Sequence, residues 1–393
     1  MTSFQKDLPG RPPTRGDRVM RTMLTPRSVD LSVTNRCNLN CTYCYHFESA
    51  GESGTDLPTE EWLRFFEELN SCSVLDVTLA GGEPFLRNDL KVLIEGIVKN
   101  KMRFSILTNG TLVTDDMAAY IASTRRCNSV QVSIDGSWPG PHDAFRGKGN
   151  FERAVAGLQR LKAHSIPVTV RVTIHRHNVD DLKAIARFLL EEIGLSGFST
   201  NSAGYVGQCR SHSDDVQLTI EERSRAMETL LNLNERYNGS IGAAAGPLAE
   251  AKHWMDMEAA RREGDESHAN CGYLRSCGGV FSKMAVRADG EMVPCSQMSH
   301  IELGRINQND LKETWQKHPE LLRLRERRTI SLADFEFCKD CAYIPYCRGN
   351  CPALAYTLTG EENHPSPDAC LKRFLEAGGK LPEPINQPQP DCC

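Results

Sequence analysis

The chain lacks any apolar run long enough to span a bilayer as a helix, which takes about 20 residues, and its N-terminus shows no apolar signal-peptide core. Neither a membrane-spanning nor an exported protein is expected, and the expected compartment is the cytoplasm. The basic excess with which nucleic-acid-binding proteins neutralise phosphates is also missing, since the net charge is -5. Membrane and nucleic acid are therefore not expected as partners. Residues 1–28 depart from this locally, with Lys6, Arg11, Arg15, Arg18, Arg21 and Arg27 against Asp7 and Asp17, and read as a flexible basic arm. What the chain does have is cysteine. Sixteen cysteines in a reducing compartment argue for metal or redox chemistry rather than disulfides. A length of 393 residues, 40% hydrophobic and 25% charged, accommodates one large soluble catalytic domain and a smaller one.

Three of those cysteines stand in LSVTNRCNLNCTYCY, just beyond an apolar strand: Cys37, Cys41 and Cys44. A C-x3-C-x2-C triplet brings three soft thiolates round one small object, as zinc or an iron–sulfur cluster requires. Three ligands to a four-iron cluster leave one iron open to bind a substrate or cofactor. Two plainer readings stand beside this one. The cysteines could be small packed hydrophobes, which the surrounding Asn, Thr and Arg oppose, or a structural zinc site, for which His46 is the nearby fourth ligand.

Beyond the triplet, short apolar segments at 74–80, 104–108, 130–134, 168–174 and 197–202 alternate with helical patterns at 59–70, 89–100, 114–123, 151–164 and 179–193. This is the signature of βαβ units and a parallel sheet, with functional loops at the carboxyl ends of the strands. The fold class expected is α/β, a partial (β/α)6 TIM-like barrel over residues 29–202. Residues 203–266 read as a helical connector, with helices at 219–237 and 247–263 and a flexible link at 239–246.

Three later strand ends stand out. The second runs into Gly81-Gly82-Glu83-Pro84, where two residues without a Cβ let a ligand approach the backbone. The third ends in Thr108-Asn109-Gly110. The fourth ends in Ser133-Ile134-Asp135-Gly136, followed by His142 and Arg146. Beyond residue 267 cysteines return as Cys271, Cys277, Cys295, Cys338, Cys341, Cys347, Cys351 and Cys370, including a C-x2-C-x5-C-x3-C run. Two structural zinc sites are the plainer alternative for this set.

The triplet, with Tyr43 before its last cysteine, closely resembles the signature of the radical S-adenosylmethionine (SAM) superfamily, and the second set resembles its SPASM extension in order and spacing. The resemblance covers about residues 29–371, and assigns 267–373 to a loop-rich SPASM domain holding auxiliary clusters. It implies three 4Fe-4S clusters. One is held by Cys37, Cys41 and Cys44, a second by Cys271, Cys277, Cys295 and Cys351, and a third by Cys338, Cys341, Cys347 and Cys370. It further implies that Gly81 to Pro84 receive the amino group of SAM, that Tyr43, Thr108 and Asn109 line the same cofactor site, and that Ser133, Asp135 and Arg171 contact its ribose or carboxylate. Cys72, Cys127 and Cys209 remain unassigned. The tail at 374–393, with Cys392 and Cys393, reads as disordered and outside the cluster chemistry.

The chemistry implied by the resemblance is reductive cleavage of SAM to a 5'-deoxyadenosyl radical, which abstracts hydrogen from a substrate. Relatives with this extension modify peptides, so the leading expectation is a maturase that installs a crosslink or another oxidation on a ribosomally made peptide, supplied with electrons by a flavodoxin- or ferredoxin-type reductant. Residues 1–28 are too short for the winged-helix module that grips leader peptides, which points to a separate recognition protein or to direct leader binding by the barrel. A sulfatase maturase is the alternative within the enzyme class. It is opposed by Ser296 and Gln297 after Cys295, where that branch carries an Asp base. A multi-cluster electron carrier is the remaining reading. The open iron and Gly81 to Pro84 count against it, since a pure carrier needs neither.

Overall fold

The computed structural model describes residues 22–49, 54–265 and 271–383. Its core is six parallel strands: β1 (Ser28–Thr34), β2 (Asp76–Gly81), β3 (Arg103–Thr108), β4 (Cys127–Ser133), β5 (Val168–Ile174) and β6 (Phe198–Ser202). Each pairs with the next, and the crossovers carry α1 (Thr59–Ser71), α2 (Leu90–Lys99), α3 (Asp115–Thr124), α4 (Pro139–Arg146), α5 (Asn150–Ala163) and α6 (Leu182–Arg187). Period-two alternation explains the packing. On β1, Val29, Leu31 and Val33 are fully buried against the helices, while Ser28, Asp30 and Ser32 face the other way and are half-buried. From α1, Trp62, Phe65, Phe66 and Leu69 join that core.

The inner face is mostly polar: Asp30 and Ser32, Thr78, Ser105, Ser129, Gln131 and Ser133, Thr169 and Arg171, and Ser199 alternate with the buried apolar positions of their strands, with Ala80 and Leu107 as apolar positions on the same face. A closed barrel fills its interior with bulky branched side chains. This sheet is open.

Both edges are extended from outside the six units. Strand β7 (Ile241–Ala243) pairs parallel with β6, in the stretch expected as a flexible link. Gly197 permits it, since a Cβ there would stand 2.7 Å from the Ser240 carbonyl oxygen. At the other edge β8 (Lys283–Val286) pairs parallel with β1 and antiparallel with β9 (Met292–Val293), so the C-terminal region continues the barrel sheet.

The connector supplies two short turns, α7 (Gln208–Ser211) and α8 (Ser213–Val216), then α9 (Ile220–Arg236), started by a Thr219/Glu222 capping box, and α10 (Pro247–Glu263). The C-terminal region adds α11 (Leu311–Lys317), α12 (Pro319–Glu326), α13 (Pro352–Thr359) and α14 (Leu371–Glu376). Arg223 on α9 is ion-paired to Glu250 on α10 and to Asp368, which ties connector and C-terminal region together.

Four local expectations differ from the structure. Helix α4 begins Pro-Gly-Pro, which hides it from periodicity although proline is tolerated in a first turn. The pattern at 179–193 breaks into a 3-10 turn, α6 and a π turn at Phe188–Glu192. Within the expected arm, Met23 and Arg27 donate backbone bonds to Phe281 and Ser282, and Trp315 Nε1 bonds the Met23 carbonyl. Within the expected tail, Lys380 N bonds Ser224 Oγ. The rest of that arm, residues 1–21, and the rest of that tail with Cys392 and Cys393 lie outside the described residues. Among the described residues no helix is long and apolar enough to cross a membrane.

Candidate active site

The triplet loop leaves the carboxyl end of β1 and is fastened on every side. Asp56 accepts from Thr34 Oγ1 (2.8 Å), from Asn35 N (2.9 Å) and from the Arg36 guanidinium (2.9 Å). Arg87, almost fully buried, donates to the Val33 and Leu57 carbonyls at 2.7 and 3.2 Å and forks onto Asp89. Gly207, φ +62°, brings Gln208 N within 2.9 Å of the Cys44 carbonyl and 2.8 Å of that of Phe47. Asp56, Arg87 and Gly207 carry no local signal in the sequence, because the loop segments they hold lie 20 residues or more away along the chain.

Gly81 and Gly82 belong to the same clamp. Gly82 N donates to the Thr34 carbonyl and Glu83 N to that of Arg36, both at 2.8 Å. A Cβ on Gly82 would lie 2.1 Å from the Arg36 carbonyl oxygen, so close approach of the cysteine loop itself already demands glycine. Glu83 is buried beneath and accepts from Thr108 Oγ1 (2.7 Å), Asn109 N (2.8 Å) and Phe85 N (3.2 Å). Burial pushes its carboxyl up to about 7, against the pull of those donors. Pro84 opens the 3-10 turn that follows. Asn109 reaches back to Asn38 Oδ1 (2.9 Å) and stands 4.0 Å from Cys37 Sγ.

Beneath the loop lies a buried polar cluster. Tyr43, expected at the cofactor, turns its hydroxyl down to donate to Asp135. Asp135, expected to touch SAM, is fully buried, with one oxygen accepting from Thr173 N (2.7 Å) and the other shared by Tyr43 and Arg146 Nε. Burial alone would raise its carboxyl, but the Arg146 guanidinium, with His142 and His175, holds it below the usual range. Arg146 Nη1 stands 4.0 Å from Cys41 Sγ. Ser133 and Arg171 pair in register between β4 and β5 on the inner face, and Arg171 bonds Gln131 Oε1 (3.3 Å) and the Thr200 carbonyl (3.4 Å), with no carboxylate partner among the described residues.

All three triplet cysteines are half-buried, and none is in a disulfide. Burial pushes Cys41 up to about 12 and Cys37 to about 11, so thiolates here require a cationic centre beside them. Yet no group of three or more Cys, His, Asp or Glu side chains among the described residues closes round a single ion.

In the C-terminal region, Cys338, Cys341, Cys347 and Cys370 lie within electrostatic reach of one another. Burial first, and then the other three thiols, pushes Cys338 up to about 12. Cys277, Cys295 and Cys351 form a second group. No interaction among the described residues joins Cys271 to that trio; its neighbour Gly272 donates to the Cys347 carbonyl (2.9 Å). Of the unassigned thiols, Cys127 and Cys209 are buried and Cys72 is half-buried.

A family model for the radical SAM superfamily matches residues 31–189, and one for the SPASM iron–sulfur cluster-binding domain matches 277–342. The chain belongs to the SPASM subfamily of the radical SAM superfamily. It is an enzyme, and the two domains of this subfamily imply SAM and 4Fe-4S clusters as its cofactors. The AdoMet-dependent heme synthase of Methanosarcina barkeri is 26% identical over 343 residues, covering 86% of this chain and 94% of that protein. The PqqA peptide cyclase of Ruegeria pomeroyi is 23% identical over 356 residues, covering 89% and 88%. The crystal structure of Streptococcus suis SuiB bound to precursor peptide SuiA shares the fold, with a TM-score of 0.68 and 16% identity over 89% of this chain and 77% of that one. The radical SAM match ends within the π turn after α6, so β6, β7 and the connector lie between the two matched segments and β8 lies within the second.

Proposed function

We propose that this radical SAM enzyme modifies a ribosomally made peptide, abstracting a hydrogen and leaving a crosslink or another oxidation. The observation that carries the substrate reading is the inner face of the open sheet. Apart from Ala80 and Leu107 its strand positions are mainly Ser, Thr, Asp, Gln and Arg, with no aromatic residue, a lining suited to a polar chain rather than to a flat apolar macrocycle. The PqqA peptide cyclase relative supports the same class.

Bound at this site, a reduced cluster and SAM would supply one-electron chemistry for abstracting a hydrogen atom from the substrate. In this reading Cys37, Cys41 and Cys44 hold that cluster. Gly81, Gly82, Glu83 and Pro84 receive the SAM amino group, with Glu83 as the acceptor, and Ser133 and Arg171 face its carboxylate. Thr108, Asn109, Tyr43 and Asp135 act one layer out, holding Glu83, the cysteine loop and Arg146. Cys338, Cys341, Cys347 and Cys370 hold one auxiliary cluster, and Cys277, Cys295 and Cys351 with Cys271 hold the other. The mutual reach of each group supports the assignment, least so for Cys271. A flavodoxin- or ferredoxin-type reductant and a separate leader-recognition protein complete the proposed partners, and the cytoplasm is the proposed compartment.

The heme synthase relative favours a second reading, in which the substrate is a tetrapyrrole. Anaerobic reconstitution tests both. The peptide reading expects about twelve irons, 5'-deoxyadenosine from SAM under dithionite, and loss of hydrogen atoms from a short peptide encoded beside this gene, with no turnover of an iron porphyrin. Replacing Cys37, Cys41 and Cys44 together by Ala should abolish SAM cleavage and leave the auxiliary irons. Bound zinc without 5'-deoxyadenosine overturns the radical reading, and porphyrin turnover overturns the peptide one.

A further inference from the structure

Arg146 sits where the catalytic machinery meets the protein interior. Its side chain is 9% exposed, and it is the cation whose guanidinium faces both the Tyr43 ring, at 5.4 Å from the centroid, and Cys41 Sγ, at 4.0 Å from Nη1. The opposite side of the same group, Nε, is ion-paired to Asp135. Asp135 is in turn fixed by Thr173 N and by Tyr43, the residue before Cys44 in the triplet. The pair is therefore an oriented dipole, its positive end at the cysteine sulfur and its negative end one guanidinium farther away. Neither charge is solvated, so screening is weak.

We infer that Arg146 is a positioning residue that sets the reduction potential of the cluster held by the triplet, with Asp135 acting through it. The inference rests on the radical SAM reading of that site. Reduction adds one negative charge to the cluster. A guanidinium donating toward one of its thiolates favours the reduced form, and hydrogen bonds to cluster sulfurs are a recognised determinant of potential. Asp135 opposes the effect in sign while holding Arg146 in place.

The two residues consequently make opposite predictions, which a merely structural role would not. The reconstituted holoenzyme is titrated anaerobically with EPR detection, following the signal that changes on addition of SAM, in wild type, Arg146→Gln, Arg146→Lys and Asp135→Asn. Arg146→Gln should lower the reduced fraction at a fixed potential about tenfold, a shift of about 59 mV for a one-electron couple. Asp135→Asn should shift it upward, and Arg146→Lys should fall between wild type and Arg146→Gln, because it keeps the charge but not the fork. Should Arg146→Gln fail to hold iron, the signs for Arg146→Lys and Asp135→Asn decide. Unchanged potentials, or shifts of the same sign for Asp135→Asn and the Arg146 variants, overturn the role of Arg146 while wild-type SAM cleavage keeps the radical reading intact. A wild type with no SAM-responsive signal and no cleavage overturns the reading beneath it, and the inference with it.

Discussion

Gly207→Ala should disable the triplet from the far side of the barrel mouth. Gly207 has φ +62° and ψ -145°, a region that only glycine adopts freely, so alanine costs about 1–3 kcal/mol in backbone strain. The new Cβ would stand 2.4 Å from the Cys44 carbonyl oxygen and 2.8 Å from that of Phe47. Relieving that overlap adds about 1–3 kcal/mol. The sum, about 2–6 kcal/mol, is below the stability of most domains. The chain therefore folds and the strain is relieved by moving the loop that carries Cys44. Iron content should drop by about four per chain, and SAM cleavage should slow at least tenfold, since small misplacements of a reacting centre carry large rate costs. Gly264→Ala is the control: it has φ +67° and open space around its Cβ, so it carries backbone strain without the loop displacement. Wild-type iron and SAM cleavage in Gly207→Ala would refute the coupling between this turn and the triplet.

Three further outcomes follow from buried charge. Arg87→Ala takes this donor from the Val33 and Leu57 carbonyls and the cation from Asp89, which keeps only the Thr59 hydroxyl, and should cost about 3–5 kcal/mol, read as a lowered melting temperature together with lost triplet iron. Arg223→Met strands the buried Glu250 and frees Asp368, two residues before Cys370; a similar loss of about 3–5 kcal/mol is expected, and iron should leave the C-terminal region first. Glu83 is raised by burial from 4.5 to about 7, so between those values the folded protein carries a proton that the ammonium of SAM would displace. SAM binding in that window should release up to about one proton, seen as buffer-dependent heat in calorimetry, and should release none above it or in Glu83→Gln. Equal heats in buffers of different ionisation enthalpy would show that Glu83 does not meet the amino group.

Much of the molecule was legible along the chain because the signals are local. Six strands declare themselves as short apolar segments between helical patterns, and the triplet and Gly81 to Pro84 each stand out as a compact local motif. What the alternation could not say is which face is filled. The residues opposite Val29, Leu31 and Val33 are polar because the sheet never closes on them, and closure is a property of all six strands together.

The tertiary structure decided the rest, for one physical reason. A buried polar group needs a partner, and the partner is chosen by proximity in space, not by position in the chain. Asp135 looked from its strand end like a cofactor ligand, yet Arg146, Tyr43 and Thr173 claim both of its oxygens. Gly81 and Gly82 looked like room for a ligand alone, and the close approach of the cysteine loop's backbone demands glycine there as well. Residues 1–28 and 374–393 looked from composition like a flexible arm and a disordered tail, yet Met23 and Arg27 of the one are held by Phe281, Ser282 and Trp315, and Lys380 of the other by Ser224. By itself the sequence determined the chemistry available to this protein, through which thiols stand together. The fold determined which carboxylates, guanidinium groups and glycines hold those thiols where that chemistry can occur.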